Sequence, residues 1–206
     1  REWGGHASSY ALDLAAPTAA DDAARVVEQT VEEHGGLHTV IYAAGPHVPM
    51  AHLSGVDPVA MAAQLAADAA GFFAVVHPAL PHLRAAEGSI VAVTTAATAR
   101  FPVRDGLSSA PKAAVEAIVR ALAVEEGRYG VRVNAVGPGM LTDGMAARLI
   151  GSGELSDQAL AVARSNIPLR RFGTAHDIAE AVCFLASDRA GFISGQKLDV
   201  DGGYGA

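Results

Sequence analysis

Cysteine is nearly missing from this chain, and lysine almost as scarce. The 206 residues include one cysteine, Cys183, so no internal disulfide can form and a reducing cytoplasm is the expected location. Cys183 falls in a helical apolar stripe with Ala179, Val182 and Ala186, which predicts a buried packing role. No run approaches the roughly 18 consecutive apolar residues that cross a bilayer. The first residues lack the charged, apolar and small-residue succession of a secretory signal. A net charge of −7 argues against sequence-blind nucleic-acid binding, which needs a basic stripe. No pair of histidines has metal-ligand spacing with a third ligand, so no metal site is expected. Only two lysines occur, Lys112 and Lys197.

What the chain does have is alternation. Short β-rich runs alternate with long helical patterns and no repeat or linker interrupts them, which predicts one domain over residues 1–206 built of βαβ units around a parallel sheet. Strands are expected at Ser8–Leu14, Thr39–Ala43, Ser89–Thr94, Val131–Val136 and Lys197–Val200. Helices are expected from Thr18, with a capping box to Asp21, as far as Gly35, then over Pro58–Leu83, Ser109–Tyr129 and Thr174–Ser187. Met140 to Ile167 reads as a loop with weakly helical patches. In open parallel sheets ligands sit beyond the carboxyl ends of the strands. Those ends are Asp13, Ala43-Ala44-Gly45, Thr94-Thr95 and Gly137-Pro138-Gly139, and their small residues let backbone approach a flat ligand.

Five segments in order carry a resemblance: Ala43-Ala44-Gly45, Gly88-Ser89-Ile90-Val91, Val131 to Val136 with Gly137-Pro138-Gly139, Pro168 to Gly173 with Asp177-Ile178-Ala179, and Gly195-Gln196 with Asp201-Gly202-Gly203. Together they resemble the short-chain dehydrogenase/reductase family, the fourth segment its carrier-protein ketoacyl reductase branch. The resemblance implies an α/β, Rossmann-like doubly wound parallel sheet in three layers, and an NAD(P) cofactor. It implies that Asp13 contacts the adenine, Ala43, Ala44 and Gly45 the adenine ribose, Lys112 the nicotinamide ribose, and Pro138, Gly139 and Thr142 the nicotinamide end. Family members open with a glycine-rich turn whose amides hold the pyrophosphate. Nothing here matches it, so the sheet is expected to lack the first two strands of the family. Ser8–Leu14 would then be an unpaired edge, unless the sequence is a piece of a longer protein, the strand slides in beside Thr39–Ala43, or a partner covers the gap.

The family's Tyr-x-x-x-Lys motif falls on Lys112, which puts Ser108 where the tyrosine belongs, Thr95 at the catalytic serine and Asp68 at the asparagine of the long helix. A phenol starts near a pKa of about 10 and a neighbouring ammonium can lower it, whereas a serine hydroxyl starts far higher and reaches less far. Ser108 therefore reads as part of a helix start, Ser108-Ser109-Ala110-Pro111, more readily than as an acid. His47 and His52, in the loop after Gly45, and Asp105 are possible replacement acids, with His47 the leading one. Three functions stay open. One is an oxidoreductase acting on a small-molecule, acyl or polyketide-like substrate with an altered proton donor, assembled as a homo-oligomer. Another is a non-catalytic subunit in a hetero-oligomer with an active relative. The third is a cofactor-free lyase or isomerase using His47 or Asp68.

Overall fold

The computed structural model describes residues 5–46, 48–143 and 157–206. Four parallel strands form one sheet in the order β1 (Thr39–Tyr42), β2 (Ser89–Val93), β3 (Arg132–Pro138) and β4 (Lys197–Val200). Register pairs Val40 with Ile90, Ile90 with Val133, and Val136 with Leu198. Ile90, Ala92, Val133 and Ala135 face one way, into a core shared with Val27 of α1 (Ala19–His34), Phe72, Val76 and Leu83 of α3 (Gly71–Ala86), and Val115, Val119 and Leu122 of α4 (Gly106–Glu126). Val91 and Val136 face the other way, against Ile178, Val182 and Leu185 of α6 (Ala175–Ala186). The period-2 alternation of the two central strands thus feeds two apolar layers, giving helix, sheet and helix. A further helix, α5 (Asp157–Ser165), lies in the segment expected to be mostly loop.

Ser8–Leu14 is not a strand. Among the described residues β1 is a sheet edge, and Ser8–Leu14 forms no ladder with it. Its side chains bond to the end of α1 instead: Ser8 Oγ lies 2.6 Å from His34 Nε2, and Tyr10 Oη donates to Glu33 at 2.5 Å. Asp13 accepts Ala15 N–H at 2.9 Å in an Asx turn, and Leu14 packs against Gly71. The capping box at Thr18 is also not formed, because Thr18 Oγ1 donates to Asp22. The box belongs to α6, where Thr174 and Asp177 satisfy each other's backbone N–H groups.

The stripe drawn through Cys183 is corrected as well. α6 buries Ile178, Val182 and Leu185, and Cys183 is exposed on the neighbouring face. The long apolar helix holds through both Pro78 and Pro81, but it is not uniform. Between α2 (Pro58–Leu65) and α3, Ala66–Ala70 form a π-helical turn. By length and apolarity Pro58–Ala86 could span a bilayer, yet its second half buries Phe72, Val76, Ala79 and Leu83 against the sheet, as a core helix does.

Gly88 closes the approach to β2. A Cβ there would fall 2.0 Å from the His38 carbonyl oxygen, which is backbone and cannot swing away. Gly88→Ala is expected to cost roughly 3 kcal/mol, as overpacking against rigid neighbours does, read as a lower urea midpoint at unchanged slope.

Candidate active site

Lys112 projects from the second turn of α4 toward the carboxyl end of β1. Its Nζ lies 2.6 Å from Asp68 Oδ1 and donates to the Ala44 carbonyl at 3.4 Å. Asp68 is 1 % exposed and Lys112 13 %, so the ion pair is desolvated on the carboxylate side and open on the other. The π turn carries Asp68 into this position. Gly45 forms the wall beside the pair, since a Cβ on it would sit 2.9 Å from Lys112 Nζ and 3.6 Å from Asp68 Oδ1. Ala43, Ala44 and Gly45 are themselves exposed, which leaves a flat, small-residue ledge above the ammonium.

Thr95 follows β2 in extended backbone and starts the short 3₁₀ turn Ala96–Thr98. Its Oγ1 accepts Ala97 N–H at 3.1 Å, which keeps the hydroxyl hydrogen free to donate. A network missed in the sequence holds this turn from below. Lys197 Nζ reaches the Thr95 carbonyl at 3.1 Å, Thr98 Oγ1 at 2.5 Å, Asp199 Oδ1 at 3.0 Å and the buried Glu116 at 3.5 Å. Thr98 in turn donates to the Glu116 carboxylate at 2.9 Å. Glu116 lies one helical turn past Lys112 on α4, and Lys197 is the second of two lysines, so the signal was in the composition and the spacing.

The start of α4 differs from expectation. The helix begins at Gly106, three residues before Ser109, and the serines do not cap it. Ser108 sits in the first turn with its N–H on the Asp105 carbonyl at 3.0 Å, and no hydrogen bond to its hydroxyl is formed among the described residues. Ser109 Oγ donates to the same carbonyl at 3.0 Å. Asp105 occupies the cap position without using its side chain as a cap, and burial pushes its carboxyl up to about 6.

Pro138 ends β3, and Gly139 N–H bonds to Val200 O at 3.0 Å. Thr142 pairs with Gly173 through backbone, and its hydroxyl also donates to Gly173 O at 3.4 Å while the residue stays exposed. A cleft of about 440 Å³ opens beside this end, between Asp199–Gly203 and the Pro168–Gly173 segment. Tyr42, at the end of β1, is the one phenol placed near the pair. It is buried with no hydrogen-bond partner among the described residues, and burial, aided by the Asp68 charge, pushes it up to about 12. His47 lies outside the described residues. Lys112, Asp68, Ala44 and Gly45 therefore meet directly, Thr95 stands at the neighbouring strand end, and Asp13 is held in its Asx turn with Ala15, outside that group of contacts. Among the described residues, no group of three His, Cys, Asp or Glu side chains is placed to hold a metal ion.

A parallel sheet between two helical layers, with small residues and the Lys112–Asp68 pair at its strand ends, defines a Rossmann-type domain. Sequence comparison agrees: the family profile described as enoyl-(acyl carrier protein) reductase matches residues 3–205. The chain belongs to the short-chain dehydrogenase/reductase family. It is 31 % identical over 186 residues to L-fucose dehydrogenase from Oryctolagus cuniculus, covering 90 % of this chain and 65 % of that enzyme's length, so it spans about two thirds of that relative. Among solved structures it is similar to ElxO with NADP bound, with 26 % identity, a TM-score of 0.86, and coverage of 96 % of this chain and 77 % of that one. It is also similar to NAD⁺-bound xylitol dehydrogenase, with 25 % identity, a TM-score of 0.89, and coverage of 98 % and 81 %.

Proposed function

We propose that the chain is an NAD(P)-linked oxidoreductase that interconverts a carbonyl and an alcohol on a small-molecule or acyl substrate, with a proton donor other than a tyrosine at position 108. The observation that carries this reading is the Lys112 ammonium, held between Asp68 and the Ala44 carbonyl beneath an exposed ledge of small residues. Such a ledge fits the sugars of the cofactor: Ala43 to Gly45 leave room for the adenine ribose, Lys112 offers hydrogen-bond donors to the hydroxyls of the nicotinamide ribose, and Pro138 and Gly139 border the nicotinamide end. The bound cofactor would supply the hydride. Thr95 would orient the substrate oxygen through its free hydroxyl hydrogen, and the Lys197–Glu116 network would keep Thr95 in place. Solved relatives that carry NADP or NAD⁺ support the cofactor class.

The test is a fluorescence titration with NADPH and with NADH. Saturable binding in the micromolar range is expected. Lys112→Ala should weaken it at least tenfold, about 1.4 kcal/mol, and abolish turnover.

A second reading, a non-catalytic subunit assembled with an active relative, is favoured by one observation. The Lys112 charge is matched by Asp68, and the side chain one turn before it is a serine. Folded protein that shows no saturation with either nucleotide would replace the first reading with this one.

A further inference from the structure

Three large apolar side chains stand exposed on the side of the sheet where ligands bind. β2 and β3 run parallel, so α4, which joins them, starts on the side of their carboxyl ends. The loop that leads into it, residues 99–105, carries Phe101 at 60 % and Val103 at 73 % exposure. Leu53, 52 % exposed, comes from the other loop on that side, where the chain leaves the ledge at Gly45 and enters the 3₁₀ turn Leu53–Gly55. Single exposed apolar residues are ordinary, but these three belong to two loops that the structure ties together.

Arg104 is the tie. Its carbonyl accepts Ala51 N–H at 3.0 Å, and its guanidinium donates to Met50 O at 2.7 Å. Leu53 closes the same junction against Gly106, where a Cβ would fall 2.7 Å from Leu53 Cδ1. Arg104 makes both bonds from left-handed backbone, at φ 73°. A residue with a Cβ stays in that conformation only where its surroundings over-determine it, and such strain gathers at ligand clamps and active sites. The clasp is continuous with the site at both ends. Thr95 and its 3₁₀ turn open the loop that bears Phe101, and Lys112 follows Gly106 along α4 by about 9 Å, at ~1.5 Å per residue.

We propose that this clasped rim is a substrate-binding surface, which selects ketones and alcohols bearing a long apolar chain or a ring system over short polar ones. The proposal takes its chemistry from the oxidoreductase reading above and its selectivity from the rim. With the reacting oxygen at Thr95, the body of the substrate extends outward between the two loops, along Leu53, Phe101 and Val103. A second copy of the chain is a poorer occupant. A stable dimer buries about 800 Å² per partner, more than three side chains supply, whereas a few apolar side chains suffice to cover an alkyl chain.

The experiment measures kcat/KM with NADPH for the methyl ketones from butanone to octanone, and the Kd of octanol for the protein alone by calorimetry. A fully buried methylene is worth about fourfold in affinity, so a half-open rim should give roughly twofold per methylene, carried by KM with kcat nearly constant. Phe101→Ser and Val103→Ser change exposed positions outside the core. Each should flatten the series and weaken octanol binding, while butanone turnover stays at the wild-type value. Arg104→Gly accepts the left-handed backbone without strain but removes the guanidinium, and it should flatten the series as well. A series that is flat in the wild-type protein, or that stays steep in both serine variants, overturns the rim and leaves the oxidoreductase reading standing. Octanol binding that the serine variants lose, in a protein that reduces no ketone, supports the rim and overturns the oxidoreductase reading. Serine variants that dissociate an oligomer and leave the series unchanged would assign the face to a second copy and overturn the proposal.

Discussion

Asp68→Ala is expected to destabilise the protein by about 3–5 kcal/mol, read as a large drop in the urea midpoint. The reason is the environment of its partner more than the lost attraction. Lys112 has 13 % of its side chain exposed, and its remaining acceptor among the described residues is the Ala44 carbonyl at 3.4 Å, a long bond for an ammonium with three hydrogens. Removing one member of a buried pair leaves the other charge uncompensated, and that penalty dominates. The control is the double variant Asp68→Leu with Lys112→Met, which removes both charges and should recover most of the loss. A single variant as stable as wild type would mean that water already serves Lys112, and the site would then be more open than the structure indicates. Asp68→Asn keeps an acceptor oxygen toward Nζ and should fall between the two.

Ser108→Tyr is expected to raise kcat for carbonyl reduction by 10²- to 10⁴-fold, the range that a positioned acid–base group contributes. The surroundings of a phenol at this position are in place: Lys112 one turn on, and Thr95 with a free hydroxyl hydrogen at the neighbouring strand end. The measurement is steady-state turnover with NADPH over a panel of ketones and β-ketoacyl thioesters. An unchanged rate for the tyrosine variant, with cofactor binding intact, would locate the deficit in the orientation of Lys112 by Asp68 and not in the missing acid.

Much of the framework was legible because it rests on period and punctuation. β4 was read residue for residue, and β1 and β2 to within one residue, since short β-rich runs punctuated by glycine leave little freedom. Ser8–Leu14 failed because a strand exists only with a neighbour, and its own sequence cannot report whether one is paired to it. Cys183 failed for a subtler reason. Alanine-rich helices offer two apolar stripes of similar weight, and the larger side chains Ile178 and Leu185 decided which one turned inward. Lys112, Asp68 and Thr95 could be picked out by spacing. Their geometry could not, because Lys112 and Asp68 are 44 residues apart and meet only after two helices have packed. The network under Thr95 is likewise a product of packing between distant segments.

The π turn at Ala66–Ala70 also bears on how the long helix can be altered. A π turn amounts to one additional residue wound into an α-helix. Everything before it is therefore out of phase with everything after it by the angle of one residue, roughly 100°. Pro58–Leu65 and Gly71–Ala86 are two helices of different azimuth joined end to end, and Asp68 lies in the seam between them. Shortening the seam by a single alanine would conserve composition, apolarity and helical length almost perfectly. It would also rotate the first segment against the second, so that no setting of the helix could keep both in their present contacts. In this stretch a gap in an alignment is a change of geometry, while many substitutions are not.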